Sequence, residues 1–136
     1  ETGMEAIALE KGIHYQEQVA KQVHLESNEQ ALRQLTMILV DNALKYTPAG
    51  ETVKVALIER QRKTVLQVSN SGCLIPEEKI PYVFDRFYRG DPSRNHQDGG
   101  YGLGLAIAKA ITEMLEAQIS LTVDQDGVNH FEVSFH

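Results

Sequence analysis

The sequence is poor in cysteine, in basic residues and in long apolar runs. Its only cysteine, Cys73, excludes an internal disulfide and a cysteine-rich metal site. The 19 acidic residues outnumber the 13 basic ones, and this net charge of −6 argues against nucleic acid as a partner, because phosphate backbones are bound by basic faces. Apolar runs are too short for a membrane-spanning helix, and no signal peptide is visible. The 136 residues suffice for one domain with its own core.

A glycine-rich segment precedes an apolar helical pattern in the second half of the chain. Residues 99–104 read Gly-Gly-Tyr-Gly-Leu-Gly, and apolar residues follow as far as Ile111. A helix start carries unpaired N–H donors and the positive end of the helix dipole, and glycines let an anion approach the bare backbone. We therefore predict a phosphate-binding turn. A plain structural turn is the alternative, since the spacing matches neither a P-loop nor a dinucleotide fingerprint.

A second helix is predicted over about residues 28–47. A capping box at residues 27–30 marks its start, and Pro48 with Gly50 marks its end. At 100° per residue, Asn42 and Lys45 fall on the border of an apolar stripe. An amide oxygen suits Mg²⁺, and a lysine one turn on can reach phosphates that share the metal. The alternative is a solvated Asn and Lys beside a core stripe.

The remaining patterns predict a two-layer domain. A helix is predicted over residues 4–11, and residues 13–24 are predicted to form one or two strands. Hairpins are predicted for 53–58 with 65–69, joined by the polar residues 59–64, and for 119–123 with 130–135. The alternation of Phe131, Val133 and Phe135 gives the sheet one apolar face, which the two long helices can cover.

Four motifs resemble those of sensor histidine kinases, in the family's order and spacing. They are residues 42–48 for the N box, 70–76 for the first glycine box, 84–89 for the F box and 100–105 for the second glycine box. The resemblance covers roughly residues 10–136. It implies the ATP-binding catalytic domain of such a kinase. The implied fold is the α/β sandwich shared with gyrase and a heat-shock chaperone, a mixed, mostly antiparallel sheet covered on one face by helices.

The resemblance also implies a role for each site residue. Asn42 would bind Mg²⁺, Lys45 would contact phosphate, and Tyr46 would lie on the adenine or ribose side. For Tyr46, core packing is the alternative. The two glycine boxes supply the other implied ATP-binding residues: Asn70, Gly72, Gly100, Gly102, Leu103 and Gly104.

The polar segment 88–100 corresponds to the lid that closes over ATP in this family. Phe84 and Phe87 are predicted to anchor its near end against the domain. Arg86 between them is the implied contact to the γ-phosphate and completes the implied catalytic set with Asn42 and Lys45. A surface salt bridge is the alternative for Arg86.

The sequence departs from the family pattern at four positions. Asn70 stands where an Asp commonly accepts a hydrogen bond from the adenine amino group, and Leu74 replaces the second glycine of that box. Ile38 replaces an Asn one turn before Asn42, and Tyr101 replaces a smaller residue. We expect these changes to affect nucleotide affinity more than the fold.

None of the five histidines stands in the family's phospho-acceptor context. The resemblance therefore implies that residues 1–136 are a single catalytic domain excised from a longer kinase, whose dimerisation domain carries the acceptor. That domain and a response regulator are the implied partners. The implied parent is a membrane-associated homodimer in the bacterial inner membrane, with this domain in the cytoplasm. His130 is predicted to be an ordinary surface residue.

Three other functions remain open. A serine kinase of the anti-sigma type fits residues 84–89 less well. A self-contained ATPase is disfavoured because Ile38 stands where those relatives place a water-activating carboxylate. A degenerate module would keep the fold and serve as a scaffold, and Asn70, Leu74 and Tyr101 favour that alternative.

Overall fold

The computed structural model of the protein describes residues 4–19, 29–72, 75, 77–84 and 104–135. Within these residues, the predicted helices at the N-terminus and over 28–47 and both predicted hairpins are confirmed. A short 3₁₀ helix was not predicted. The elements are α1 (Glu5–Lys11), β1 (His14–Val19), α2 (Glu29–Tyr46), β2 (Thr52–Arg60), β3 (Lys63–Asn70), the 3₁₀ helix (Glu77–Tyr82), α3 (Gly104–Met114), β4 (Gln118–Val123) and β5 (Asn129–Phe135).

The five strands form one sheet in the order β1-β2-β3-β5-β4. Strand β1 runs parallel to β2, and the other neighbouring pairs are antiparallel. The predicted mixed, mostly antiparallel sheet is therefore confirmed. The order brings β3 and β5, which are far apart in sequence, together at the centre of the sheet.

The turn between β2 and β3 is tighter than predicted. The sequence analysis assigned residues 59–64 to the connection, whereas the ladder continues to the pair Arg60 and Lys63. Only Gln61 and Arg62 remain in the turn, with φ of +52° and +67°. A two-residue hairpin turn of this kind needs positive φ at both positions, because its twist then matches that of the strands.

The core lies between the helices and one face of the sheet. Leu35 and Leu39 of α2 are fully buried, and so are Val68 of β3 and Val133 of β5. Phe131 is the largest buried side chain and packs in the same cluster. The predicted apolar stripe of α2 and the predicted alternation of β5 both face this core, so the helices cover the face that the sequence pattern indicated.

The opposite face of the central strands carries a hydrogen-bonded polar group. Glu132 of β5 accepts two bonds from the Arg60 guanidinium, at 3.0 and 3.2 Å, and one from Nε2 of Gln67 at 2.6 Å. Partial burial raises the pKa of Glu132, but the bonds from Arg60 and Gln67 outweigh burial and hold that pKa below its ordinary value. Glu132 therefore joins the edge of the β2–β3 hairpin to β5.

His130 is not the ordinary surface residue that was predicted. Its ring is half-buried, with Nδ1 2.7 Å from Oγ of Ser69 and Nε2 2.9 Å from Oδ2 of Asp124. Asp124 also accepts bonds from the backbone N–H groups of Asp126 and Val128. The bond from His130 is the largest of the causes that lower the pKa of Asp124. The imidazole thus ties the β4–β5 turn to β3.

Replacing Glu132 by Gln should destabilise the fold in a pH-dependent manner. The folded-state pKa of Glu132 lies below the ordinary value of 4.5, so its contribution is complete above that value and is lost as the pH falls through the folded-state pKa. We expect Glu132→Gln to lower the free energy of unfolding by about 1 to 2 kcal/mol near pH 7. The difference from the wild type should be smaller near pH 3, because that pH is closer to the folded-state pKa of Glu132.

Urea denaturation at both pH values measures this difference. Glu113→Gln, at an exposed carboxylate on α3, is the matched control and should change stability little at either pH. A loss for Glu132→Gln that is equal at both pH values would show that the charge of Glu132 contributes nothing.

Candidate functional site

Two described glycines lie near α2 and the loop that follows it. A methyl group on Gly104, the first residue of α3, would lie 3.9 Å from Cγ2 of Ile38. A methyl group on Gly72 would collide with the Glu51 side chain and lie 3.1 Å from Cδ of Pro48. The second glycine box therefore begins its helix beside Ile38, and the first glycine box lies against the loop that follows α2.

The first glycine box is held in place by side-chain hydrogen bonds. Ser71 Oγ donates to Oε1 of Glu51 at 2.9 Å and accepts from the Thr52 N–H at 3.0 Å. Gly72 follows with φ of +85°, a left-handed conformation that favours glycine. These contacts fix the chain after β3 against the loop that joins α2 to β2.

Asn42 and Lys45 occupy the helix border that the sequence predicted. Asn42 is half-buried, one turn after Ile38, and Lys45 is exposed. Nζ of Lys45 lies 3.6 Å from Oδ2 of Asp41, in an exposed ion pair between adjacent turns. Such pairs contribute little, about 0.3 to 0.5 kcal/mol, so a phosphate can displace Asp41 at small cost. Tyr46 is half-buried at the end of the same helix.

Two buried amides face each other at the end of the central strands. Asn70 ends β3 and Asn129 begins β5, and they are register partners with 3% and 1% exposure. Asn129 Oδ1 accepts the Ile75 N–H at 3.4 Å. The Asn70 side chain makes no hydrogen bond to any residue that the structure describes. A buried amide without a partner costs about 1 to 3 kcal/mol, so this position suits a ligand.

The sequence analysis identified Asn70 but missed Asn129. The signal was present, because Asn129 continues the period-two pattern of Phe131, Val133 and Phe135. An amide at an inward-facing position of an apolar strand must find a partner inside the domain. The pairing with Asn70 depends on strand register, which the sequence pattern does not contain.

Several predicted site residues lie outside the residues that the structure describes. They are Arg86, Gly100, Gly102 and Leu103, together with the predicted lid 88–100 and the substituted positions Leu74 and Tyr101. Phe84 does lie within the described part, and its ring meets that of Phe131 edge to face, with centroids 6.2 Å apart. Phe84 therefore packs against the domain as predicted, while Phe87 and the lid that the two residues are predicted to anchor lie outside the described residues.

A divalent metal would depend on Asn42 and on the phosphates of a ligand. Within the described part of the chain, no cluster of three or more His, Cys, Asp or Glu side chains could hold a metal by itself. A half-buried amide oxygen, phosphate oxygens and water form a ligand set that suits Mg²⁺.

The helices of the described residues include none that is long and apolar enough to cross a membrane.

A mixed sheet covered on one face by helices, with Gly104 beside the amide-bearing helix α2 and Gly72 against the loop after it, is an arrangement that suits nucleotide binding. The chain belongs to the histidine kinase-, DNA gyrase B- and HSP90-like ATPase family, whose model matches residues 27–136. The predicted resemblance is therefore confirmed.

Sensor kinases are among the most similar relatives. The sensor histidine kinase YkoH of Bacillus subtilis is 42% identical over 99 residues, which cover 73% of this chain and 21% of the relative. The probable sensor kinase SilS of Salmonella typhimurium is 40% identical over 100 residues, covering 74% and 20%. The histidine-protein kinase ArlS of Staphylococcus epidermidis is 32% identical over 115 residues, covering 85% and 25%. The matched part is thus at most a quarter of each of these relatives.

Solved structures share the fold. The nucleotide-free catalytic domain of histidine kinase ThkA superposes with a TM-score of 0.81 at 23% identity, covering 97% of this chain and 84% of that one. Full-length ShkA in complex with AMPPNP superposes with a TM-score of 0.82 at 22% identity, covering 97% and 27%. The α/β sandwich is therefore that of histidine kinase catalytic domains.

Gly72 should tolerate alanine less well than a glycine of similar conformation in open space. Gly127 has φ of +78° and no atom near the position of a methyl group, whereas a methyl group on Gly72 meets Glu51 and Pro48. We expect Gly127→Ala to cost about 1 kcal/mol and Gly72→Ala about 2 to 4 kcal/mol. Thermal or urea denaturation measures both values. Equal losses would mean that the contact between Gly72 and the loop after α2 contributes nothing to stability.

Proposed function

We propose that this domain positions Mg²⁺-ATP so that a histidine on a separate dimerisation domain attacks the γ-phosphate in line. The histidine gains the phosphoryl group and ADP leaves; the phosphoryl group then passes to an aspartate of a response regulator. The observation that carries the proposal is that α3 begins at Gly104 beside Ile38, one helical turn before Asn42 on α2. Kinship with sensor histidine kinases supports the same activity.

Each described site residue has a role that its surroundings suit. Asn42 would hold Mg²⁺, which neutralises phosphate charge when bound. Lys45 would exchange its weak pair with Asp41 for a phosphate oxygen. The N-terminus of α3, beginning at Gly104, would add unpaired N–H donors and a positive dipole end. Phosphoryl transfer needs mainly such positioning and positive charge.

The other proposed ATP contacts come from the remaining predicted residues. Tyr46 and Asn70 would line the base side, and Arg86 would contact the γ-phosphate. Gly100, Gly102 and Leu103 would complete the phosphate-binding turn before α3. The scaffold alternative is not favoured, because the relatives are named as kinases and Asn42, Lys45 and Gly104 are all retained.

The proposal places this domain within a larger kinase. The dimerisation domain with its acceptor histidine would belong to the same longer protein, and a receiver domain would be the second partner. The parent would be a membrane-associated homodimer in the bacterial inner membrane, with this domain on the cytoplasmic side. Support comes from the relatives, which are sensor kinases four to five times the length of the part matched here.

Nucleotide binding should depend on Mg²⁺ through Asn42. We expect Asn42→Ala to weaken ATP binding in the presence of Mg²⁺ on the order of ten- to hundredfold, because a metal contact is lost. Calorimetry with Mg²⁺ and with EDTA measures both affinities. Gln34→Ala, which removes an exposed amide from the same helix, is the matched control. Equal ATP affinity of the wild type in both solutions would contradict the metal assignment.

Gly104→Ala tests whether glycine is required at this position for the stability of the fold or for ATP binding. A methyl group there makes only an ordinary contact with Ile38, and alanine favours helix, so stability should be unchanged or slightly raised. ATP affinity should nevertheless fall by about tenfold or more, because the methyl group occupies the approach of a phosphate to the backbone. Melting curves and calorimetry on the same samples measure the two effects. Undiminished ATP affinity would remove Gly104 from the site.

A further inference from the structure

Asn70 is a buried polar side chain whose amide has no hydrogen-bond partner within the described residues. Its register partners are Val53 on β2 and Asn129 on β5, and both are uncharged. Because both register partners are uncharged, neither attracts the oxygen or the nitrogen of the Asn70 amide through a charge. Among the residues that the structure describes, none therefore fixes the orientation of the Asn70 amide.

Asn129 differs from Asn70 in this respect. Its oxygen accepts the Ile75 N–H, so that this amide is held in one orientation. The same bond ties the segment after Gly72 to the start of β5. Asn129 thus positions Ile75 beside the start of β5, whereas no described residue holds the Asn70 amide in one orientation.

Adenine and guanine differ at position 6 in the group that would form a hydrogen bond with an amide side chain. Adenine presents an amino donor there, and guanine presents a carbonyl acceptor. An asparagine side chain can meet either one, because a half-turn about χ2 exchanges its oxygen for its NH₂ group. A carboxylate at the same place can only accept, and it would repel a carbonyl oxygen.

We propose that Asn70 can accept a hydrogen bond from a 6-amino group or donate one to a 6-carbonyl group of a purine, so that the domain binds GTP as well as ATP. This inference rests on the proposed nucleotide-binding function and names its substrate class more closely. Three observations support the inference: Asn70 is buried, its side chain has no hydrogen-bond partner among the described residues, and its register partners are uncharged.

Calorimetric titration with Mg²⁺-ATP and Mg²⁺-GTP tests the inference. In the wild type, we expect the two dissociation constants to agree within about thirtyfold, because each base finds one neutral hydrogen bond. Asn70→Asp should strengthen ATP binding by up to about tenfold and weaken GTP binding, so that the ratio of the GTP to the ATP dissociation constant rises. Gln118→Glu makes the same change of charge at an exposed site on β4 and should leave the ratio unaltered.

Inosine triphosphate provides a test on the wild type alone, should Asn70→Asp fail to fold. It carries the 6-carbonyl without the 2-amino group of guanine, so we expect its affinity to lie within about thirtyfold of that for ATP. Weaker binding of both 6-carbonyl nucleotides than this would overturn the inference and leave the proposed function intact. An ATP-to-GTP ratio that Asn70→Asp does not change would also overturn it. Failure of every nucleotide to bind the wild type would instead overturn the proposed function.

Discussion

The burial of the apolar stripe of α2 against the sheet is the constraint on which the rest of the site depends. Leu35, Leu39 and Ala43 are all but inaccessible to solvent, so the rotation of this helix about its axis is fixed. With that rotation fixed, Asn42 and Lys45 lie on the border of the stripe. A slip of one residue along the helix would turn the whole set by about 100° and would move both side chains off this border.

The glycine segments approach this helix for different physical reasons. At Gly72, the left-handed backbone and the contacts with Glu51 and Pro48 already require glycine in the free domain. At Gly104, nothing in the described surroundings excludes a methyl group. A helix-start glycine that its described surroundings do not require supports the proposed approach of a phosphate to the backbone there. Substitution of Gly72 is therefore expected to report on stability, and substitution of Gly104 on binding.

Local sequence patterns predicted the helices and strands well, but they did not predict the contacts between segments that are distant in the sequence. The stripe of α2 and the alternation of β5 each follow from residues close in the chain, and both proved correct. The pairing of Asn70 with Asn129 and the bond of His130 to Ser69 depend on the register between β3 and β5. Register across some sixty residues is decided by the packing of the whole sheet, so no local pattern contains it.

The neutral amide at position 70 has a consequence for the free domain as well as for the ligand. A carboxylate in its place would be 97% buried with two uncharged register partners, and burial of an unpaired charge is far more costly than burial of an amide. A kinase domain with Asp there must offset that cost with other polar contacts or with bound water. This chain avoids the cost, and under the proposed function it gives up a charge-assisted bond to adenine. Stability of the ligand-free domain and the proposed selectivity for one base thus oppose each other at a single side chain.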